Sequence, residues 1–115
     1  MPAIKPVVFE GRSLEDRRDF PEDARRDAGF QIDRVQRGLE PEDWKPMGQV
    51  GSGVREIRIR EASGAVRVMY VAKLADAIDV LHCFQKQTQK TSPADLAMAT
   101  RRYRDLVKTL QERGS

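Results

Sequence analysis

The stretch Val54-Arg55-Glu56-Ile57-Arg58-Ile59-Arg60 decides the fold. It alternates with a period of two, so Glu56, Arg58 and Arg60 project to one side of an extended chain and Ile57 and Ile59 to the other. Ala62-Ser63-Gly64 is a turn signal. A second β-rich run follows from Ala65 to Leu74, with Val66, Val68, Tyr70 and Val71. After Ala75-Asp76 a third run extends from Ala77 to Lys86. Three strands joined by short turns predict an antiparallel meander.

Working outward, Val7-Val8-Phe9 is a short β-type run closed by Gly11. Ser13 suits a helix cap, with Asp16 favoured by the helix dipole. Pro21 starts or resets a second helical segment. Phe20, Ala24, Ala28, Ile32 and Val35 then follow helical spacing up to Gly38, so residues 13–37 are predicted to form a helical hairpin or kinked helix. Residues 38–53 hold Gly38, Pro41, Pro46, Gly48, Gly51 and Gly53 and are expected to be a loop. They make no phosphate-binding loop, because no Gly-Lys-Ser/Thr follows. Trp44 in this loop suits either stacking on a base or pinning the loop to the core. Residues 87–91 are polar and irregular. Ser92-Pro93-Ala94-Asp95 then combines a cap, a proline at the first helical position and an acid at the third. Leu96, Ala99, Tyr103, Leu106 and Leu110 form a buried stripe. The predicted order is β, α, α, β, β, β, α, an α+β domain spanning residues 1–115.

The chain has 115 residues, 39% hydrophobic and 34% charged, enough for one modest core. No run is apolar for long enough to span a bilayer, and the start lacks a signal-peptide core, which leads us to expect a soluble cytoplasmic protein without a membrane partner. The net charge of +3 conceals an asymmetry. Residues 1–46 carry nine Lys/Arg against eleven Asp/Glu, and residues 47–115 carry twelve against seven. A basic half suggests a phosphate-rich partner, although ordinary solubility charge gives the same count. The lone cysteine, Cys83, lies in an apolar run and reads as a buried structural residue. One cysteine and one histidine do not make a Cys/His zinc site, so no metal or cofactor is expected.

The candidate chemistry lies on the meander. Glu56, Arg58 and Arg60 share a face. Arg67 stands among Val66, Val68 and Met69, where a charge is costly without a partner or a task. Lys86 ends the third strand and Lys90 follows. The plain structural alternative is that Glu56 pairs with Arg58 or Arg67 as a salt bridge. His82, flanked by Leu81, Cys83 and Phe84, is either an acid–base group or a satisfied core histidine.

Four segments, taken together, carry a resemblance: Gly53-Val54-Arg55-Glu56-Ile57-Arg58-Ile59; Val66-Arg67-Val68-Met69-Tyr70; Leu81-His82-Cys83-Phe84-Gln85-Lys86; and Thr91-Ser92-Pro93 before a helix containing Ala99. In this order and spacing they resemble the phage-derived HigB-like branch of the RelE/ParE toxin superfamily over nearly the whole chain. The resemblance implies a RelE-like antiparallel sheet with an N-terminal helical hairpin and a C-terminal helix. It implies a type II toxin, an mRNA endonuclease acting on the ribosome, held inactive by a helix-turn-helix, HigA-like antitoxin. Arg67 matches the arginine of the family's Gly-x-Tyr-Arg-x-x-Tyr pattern, with Val66 in place of the tyrosine. Arg58 and Arg60 match basic residues of the preceding strand, and Lys86 the basic residue after the last one. The tyrosine that some relatives carry near the chain end has no match here, since Tyr103 lies within the helix stripe.

On this resemblance the catalytic set is Arg67 on the scissile phosphate, Arg58 orienting it, Lys86 in proton transfer or charge stabilisation, Glu56 holding Arg58, and His82 as an acid or base. Arg60, Lys73 and Lys90 are expected to hold RNA. The superfamily also contains ParE-type inhibitors of DNA gyrase, which cleave no RNA. A domain that binds RNA or ribosomes without cutting is a third possibility.

Overall fold

The computed structural model describes residues 4–61, 64–74, 76–86 and 90–114. The chain forms β1 (Val7–Phe9), α1 (Ser13–Arg18), α2 (Glu22–Gln36), β2 (Trp44–Pro46), β3 (Val54–Glu61), β4 (Gly64–Val71), β5 (Ile78–Lys86) and α3 (Pro93–Arg113). The strands make one sheet in the order β1-β5-β4-β3-β2. The predicted meander is β3-β4-β5, antiparallel throughout. Its turn residues Ala62, Ser63 and Ala75, and Gln87 to Gln89 of the polar segment, lie outside the described residues.

Two features differ from the sequence expectation. Residues 44–46, read as loop, form β2 against β3, with Trp44 opposite Ile57 and Lys45 opposite Glu56. Three residues ending in a proline are too few to show a period, and edge strands tolerate proline. The sheet is also mixed, because β1 joins β5 in parallel, Val7 opposite Ile78. A parallel neighbour needs no tight turn, only a long return path. The two helices and the strands β2 to β4 supply it.

Both faces of the sheet are covered. On one face Phe20, Ala24, Ala28, Ile32 and Val35 of the helical hairpin pack on Ile57, Ile59, Val66, Val68, Tyr70, Val80 and Cys83. On the other, Ala99 and Leu106 of α3 pack with Met47, Val50, Val54, Met69, Val71, Leu81 and Phe84. The central strand β4 is therefore buried on both sides from Arg67 onward, and its sequence reads as a nearly continuous apolar run. Burial pushes the Cys83 thiol up to about 12, as befits a structural cysteine.

The ends of the helices follow local chemistry. Gly38, at a φ of 83°, closes α2, with its N–H donating to Val35 and that of Leu39 to Arg34. The α3 start is as expected: the Ser92 hydroxyl accepts from the Asp95 N–H at 3.1 Å. Ser13 departs from expectation. Arg12 occupies the cap position of α1, and the buried Ser13 hydroxyl instead donates to the Val80 carbonyl at 3.1 Å. Gly51 is required by packing, since a Cβ there would lie 2.4 Å from the Tyr103 ring.

Beside β1, the carboxyls of Glu10 and Asp79 meet. Asp79 is 3% exposed. Burial raises both above their ordinary carboxylate values; for Glu10 the hydrogen bond and charge of Asp79 add to the rise, while for Asp79 that hydrogen bond pulls downward. Raised acid pKa values mean that the folded state holds protons that the unfolded chain has lost. The pair's contribution is thus fully present below the ordinary values of 3.8 and 4.5 and is lost as pH rises through the folded-state values. Asp79→Asn is expected to raise Tm at pH 7, with a gain that shrinks toward pH 4. Thermal melts across that range check this, and a gain independent of pH contradicts it.

Candidate active site

The α3-facing side of the sheet gathers the charges. Glu56 is fully buried, and its register partners are Lys45 on β2 and Met69 on β4. Arg58 lies opposite Arg67, Arg67 opposite Phe84, and Lys86 opposite Ala65, itself the partner of Arg60. Alternation along the strands thus brings Glu56, Arg58, Arg60, Arg67 and Lys86 onto one side, joined by Lys45.

Glu56 is the negative centre. Its Oε1 lies 3.4 Å from Nη1 of Arg67 and 3.8 Å from Nζ of Lys45. Its Oε2 accepts a hydrogen bond of 2.9 Å from the Thr91 hydroxyl. The Thr91 oxygen in turn accepts from Nζ of Lys86 at 3.2 Å. The carboxylate was expected to hold Arg58, but its arginine partner is Arg67. The Glu56 side chain is buried and Arg58, opposite Arg67, is half-buried.

Arg67 is 4% exposed, and among the described residues its Nε and Nη1 make no hydrogen bond. The Nη1 contact with Glu56 is close in distance without hydrogen-bond geometry. Burial pulls the Arg67 pKa down, Glu56 opposes this, and Arg58 adds to it. The guanidinium stays charged. A buried cation with unspent donors is costly, and an anion with several oxygens is what relieves it. Lys86 is also buried, and its pKa falls, first through burial and then through the charge of Arg67, with Glu56 pulling the other way.

His82 belongs to a different arrangement. A bulge between Met69 and Tyr70 turns both Leu81 and His82 toward α3. The His82 ring stacks on Phe84, with centroids 4.9 Å apart. Its Nε2 lies 2.7 Å from Oδ1 of Asp95, and its Nδ1 lies 3.3 Å from Nη1 of Arg102. A guanidinium only donates, so Nδ1 accepts and Nε2 carries the hydrogen. Both ring nitrogens are engaged in tying β5 to the start of α3. The geometry of His82 is that of a satisfied histidine.

Of the expected RNA contacts, Arg60 is exposed on the charged side of β3. Lys90 is exposed and directly precedes Thr91. Lys73 is not brought to the cluster. It lies beyond the end of β4 beside Gly53, at the opposite end of β3 from Arg60. Trp44 stacks with Arg55, whose guanidinium sits 3.9 Å from the ring centre. Among the described residues no group of three or more His, Cys, Asp or Glu side chains is placed to share a metal ion.

Lys45 was not singled out in the sequence, and Thr91 only as part of the motif that precedes the last helix, without a role at the site. Lys45 reaches Glu56 only because residues 44–46 add a strand at the edge. Thr91 reaches it only because the start of α3 lies over the sheet.

A family model described as phage derived protein Gp49-like (DUF891) matches residues 15–104. No curated protein matches the chain. The matched span runs from α1 into α3 and holds every residue of the charged cluster. The chain belongs to the Gp49-like family of phage-derived proteins.

Proposed function

We propose that this protein is the toxin of a type II toxin–antitoxin system, of the HigB-like kind, and that it cleaves mRNA on the ribosome. The observation that carries this reading is Arg67, a buried guanidinium with two unspent nitrogens among Arg58, Lys45 and Lys86. Membership of the Gp49-like family, related to RelE-type toxins, supports it.

In the reaction the RNA 2′-hydroxyl loses its proton and its oxygen attacks the adjacent phosphorus. The P–O5′ bond breaks, and the leaving 5′-oxygen takes up a proton. Negative charge grows on the non-bridging oxygens. Arg67 offers them a planar fork of donors, and Arg58 adds charge beside it. Lys86, its pKa lowered by burial and by the charge of Arg67, suits proton transfer or charge stabilisation. Glu56 positions Arg67. Arg60 and Lys90 hold the flanking backbone. A nuclease directed at the cell's own messages needs masking, which calls for a HigA-like antitoxin with acidic and apolar residues.

Mapping of 5′ ends on mRNA carried by translating ribosomes tests the reading. Purified toxin is expected to cut ribosome-bound message, to leave free message intact and to leave gyrase supercoiling unaffected. Intact message together with inhibited gyrase overturns the proposal in favour of ParE-type action.

A further inference from the structure

The proposed catalytic lysine and the buried carboxylate are joined through a single hydroxyl. Thr91 is half-buried, between Lys90 and the α3 cap Ser92. Its oxygen accepts from Lys86 Nζ at 3.2 Å and donates to Glu56 Oε2 at 2.9 Å. These two bonds admit only one direction. An ammonium has no lone pair to accept with, and a carboxylate has no hydrogen to give. Thr91 is therefore oriented by its two neighbours and fixes them in return.

Position amplifies the effect. Lys86 is the last residue of β5, where the sheet no longer holds the chain on both sides. Its ammonium has to stand near Arg67 without displacing it from Glu56. The Thr91 hydroxyl supplies an oxygen for the ammonium while leaving Glu56 Oε1 to face Arg67 and Lys45. The same residue stitches the start of α3 to the middle of β3.

We propose that Thr91 is a positioning residue for the cleavage reaction, setting Lys86 against the Glu56–Arg67 pair through its hydroxyl. This rests on the nuclease reading given above. Thr91 touches no reacting atom. It acts through Lys86 and Glu56.

Thr91→Val keeps the shape and removes the hydroxyl, and Thr91→Ser keeps the hydroxyl. In the full chain, ribosome-bound mRNA cleavage by Thr91→Val is expected to fall on the order of tenfold in kcat, the size of one lost charge-assisted hydrogen bond, with KM little changed. Thr91→Ser is expected to restore it. Removing an acceptor from the ammonium disfavours its charged form, so the lysine-dependent limb of the pH–rate profile moves to lower pH. NMR titration of the Lys86 side chain reads the same displacement without any activity. Thr91→Val that folds, cleaves at the wild-type rate and leaves Lys86 titrating as before overturns the inference, while the nuclease reading stands. A wild-type protein that cuts no RNA removes the nuclease reading. Lys86 titration then decides alone whether Thr91 positions it, and an unchanged titration in Thr91→Val overturns that too.

Discussion

Arg67→Ala is expected to lower the rate of mRNA cleavage by 10² to 10³, on the order of 3–4 kcal/mol of transition-state stabilisation, and to abolish growth inhibition. Arg67 lies on the central strand with two nitrogens unspent, so its loss removes the strongest anion donor of the cluster. The same change strands Glu56, which is fully buried, and lowers stability by a few kcal/mol. Both effects follow from one structure, and Arg67→Lys separates them. A lysine keeps a positive charge near Glu56 and is expected to recover most of the lost stability. It does not reproduce a bidentate fork, so cleavage is expected to recover little. Thermal melts and single-turnover cleavage of the two variants beside wild type check this. If Arg67→Lys cleaves like wild type, the fork plays no part, and if Arg67→Ala cleaves normally, Arg67 is not in the active site.

Glu56→Ala is expected to cost about 3–5 kcal/mol of folding stability, a large share of what a domain of this size has. It removes the buried negative charge facing Arg67 and Lys45 and the acceptor of the Thr91 hydroxyl. Glu56→Gln is expected to cost less, because the amide oxygen still accepts from Thr91 and no cavity opens. Urea unfolding of the three proteins measures the difference. A Glu56→Ala variant within about 0.5 kcal/mol of wild type shows that the carboxylate holds nothing together.

Much of this architecture was legible in the sequence, for local reasons. The period-two run at residues 54–60 is a strand because Ile57 and Ile59 have the hairpin helices to cover them. Ser92-Pro93 starts a helix through a cap formed within four residues. Phe20, Ala24, Ala28, Ile32 and Val35 are buried as their spacing implied. What escaped depended on distant partners. Alternation set Glu56 on the side opposite Ile57 and Ile59, but it did not show that α3 packs on that side too and that Glu56 is interior. The placing of β1 beside β5 is fixed by the return path of the chain, which no local pattern encodes.

The candidate site shows the same division. Arg58, Arg67 and Lys86 share a side because strand geometry and register put them there. Lys73, expected to hold RNA, lies beside Gly53 at the opposite end of β3 from Arg60. His82 was singled out for its chemistry, and its environment ties down both nitrogens through Asp95 and Arg102, thirteen and twenty residues away. Side-chain type indicated the chemistry of the cluster, whereas tertiary packing decided its members.

The most direct test of the central claim is end-group analysis of message incubated with the wild-type protein on translating ribosomes. Attack by the 2′-hydroxyl at a phosphate held by Arg67 leaves a 5′-hydroxyl on one fragment and a 2′,3′-cyclic phosphate on the other. We expect those ends, and no cut where the nucleotide bearing the attacking group is 2′-deoxy. Fragments with 5′-phosphate ends, or cutting that persists at the 2′-deoxy position, contradict the account.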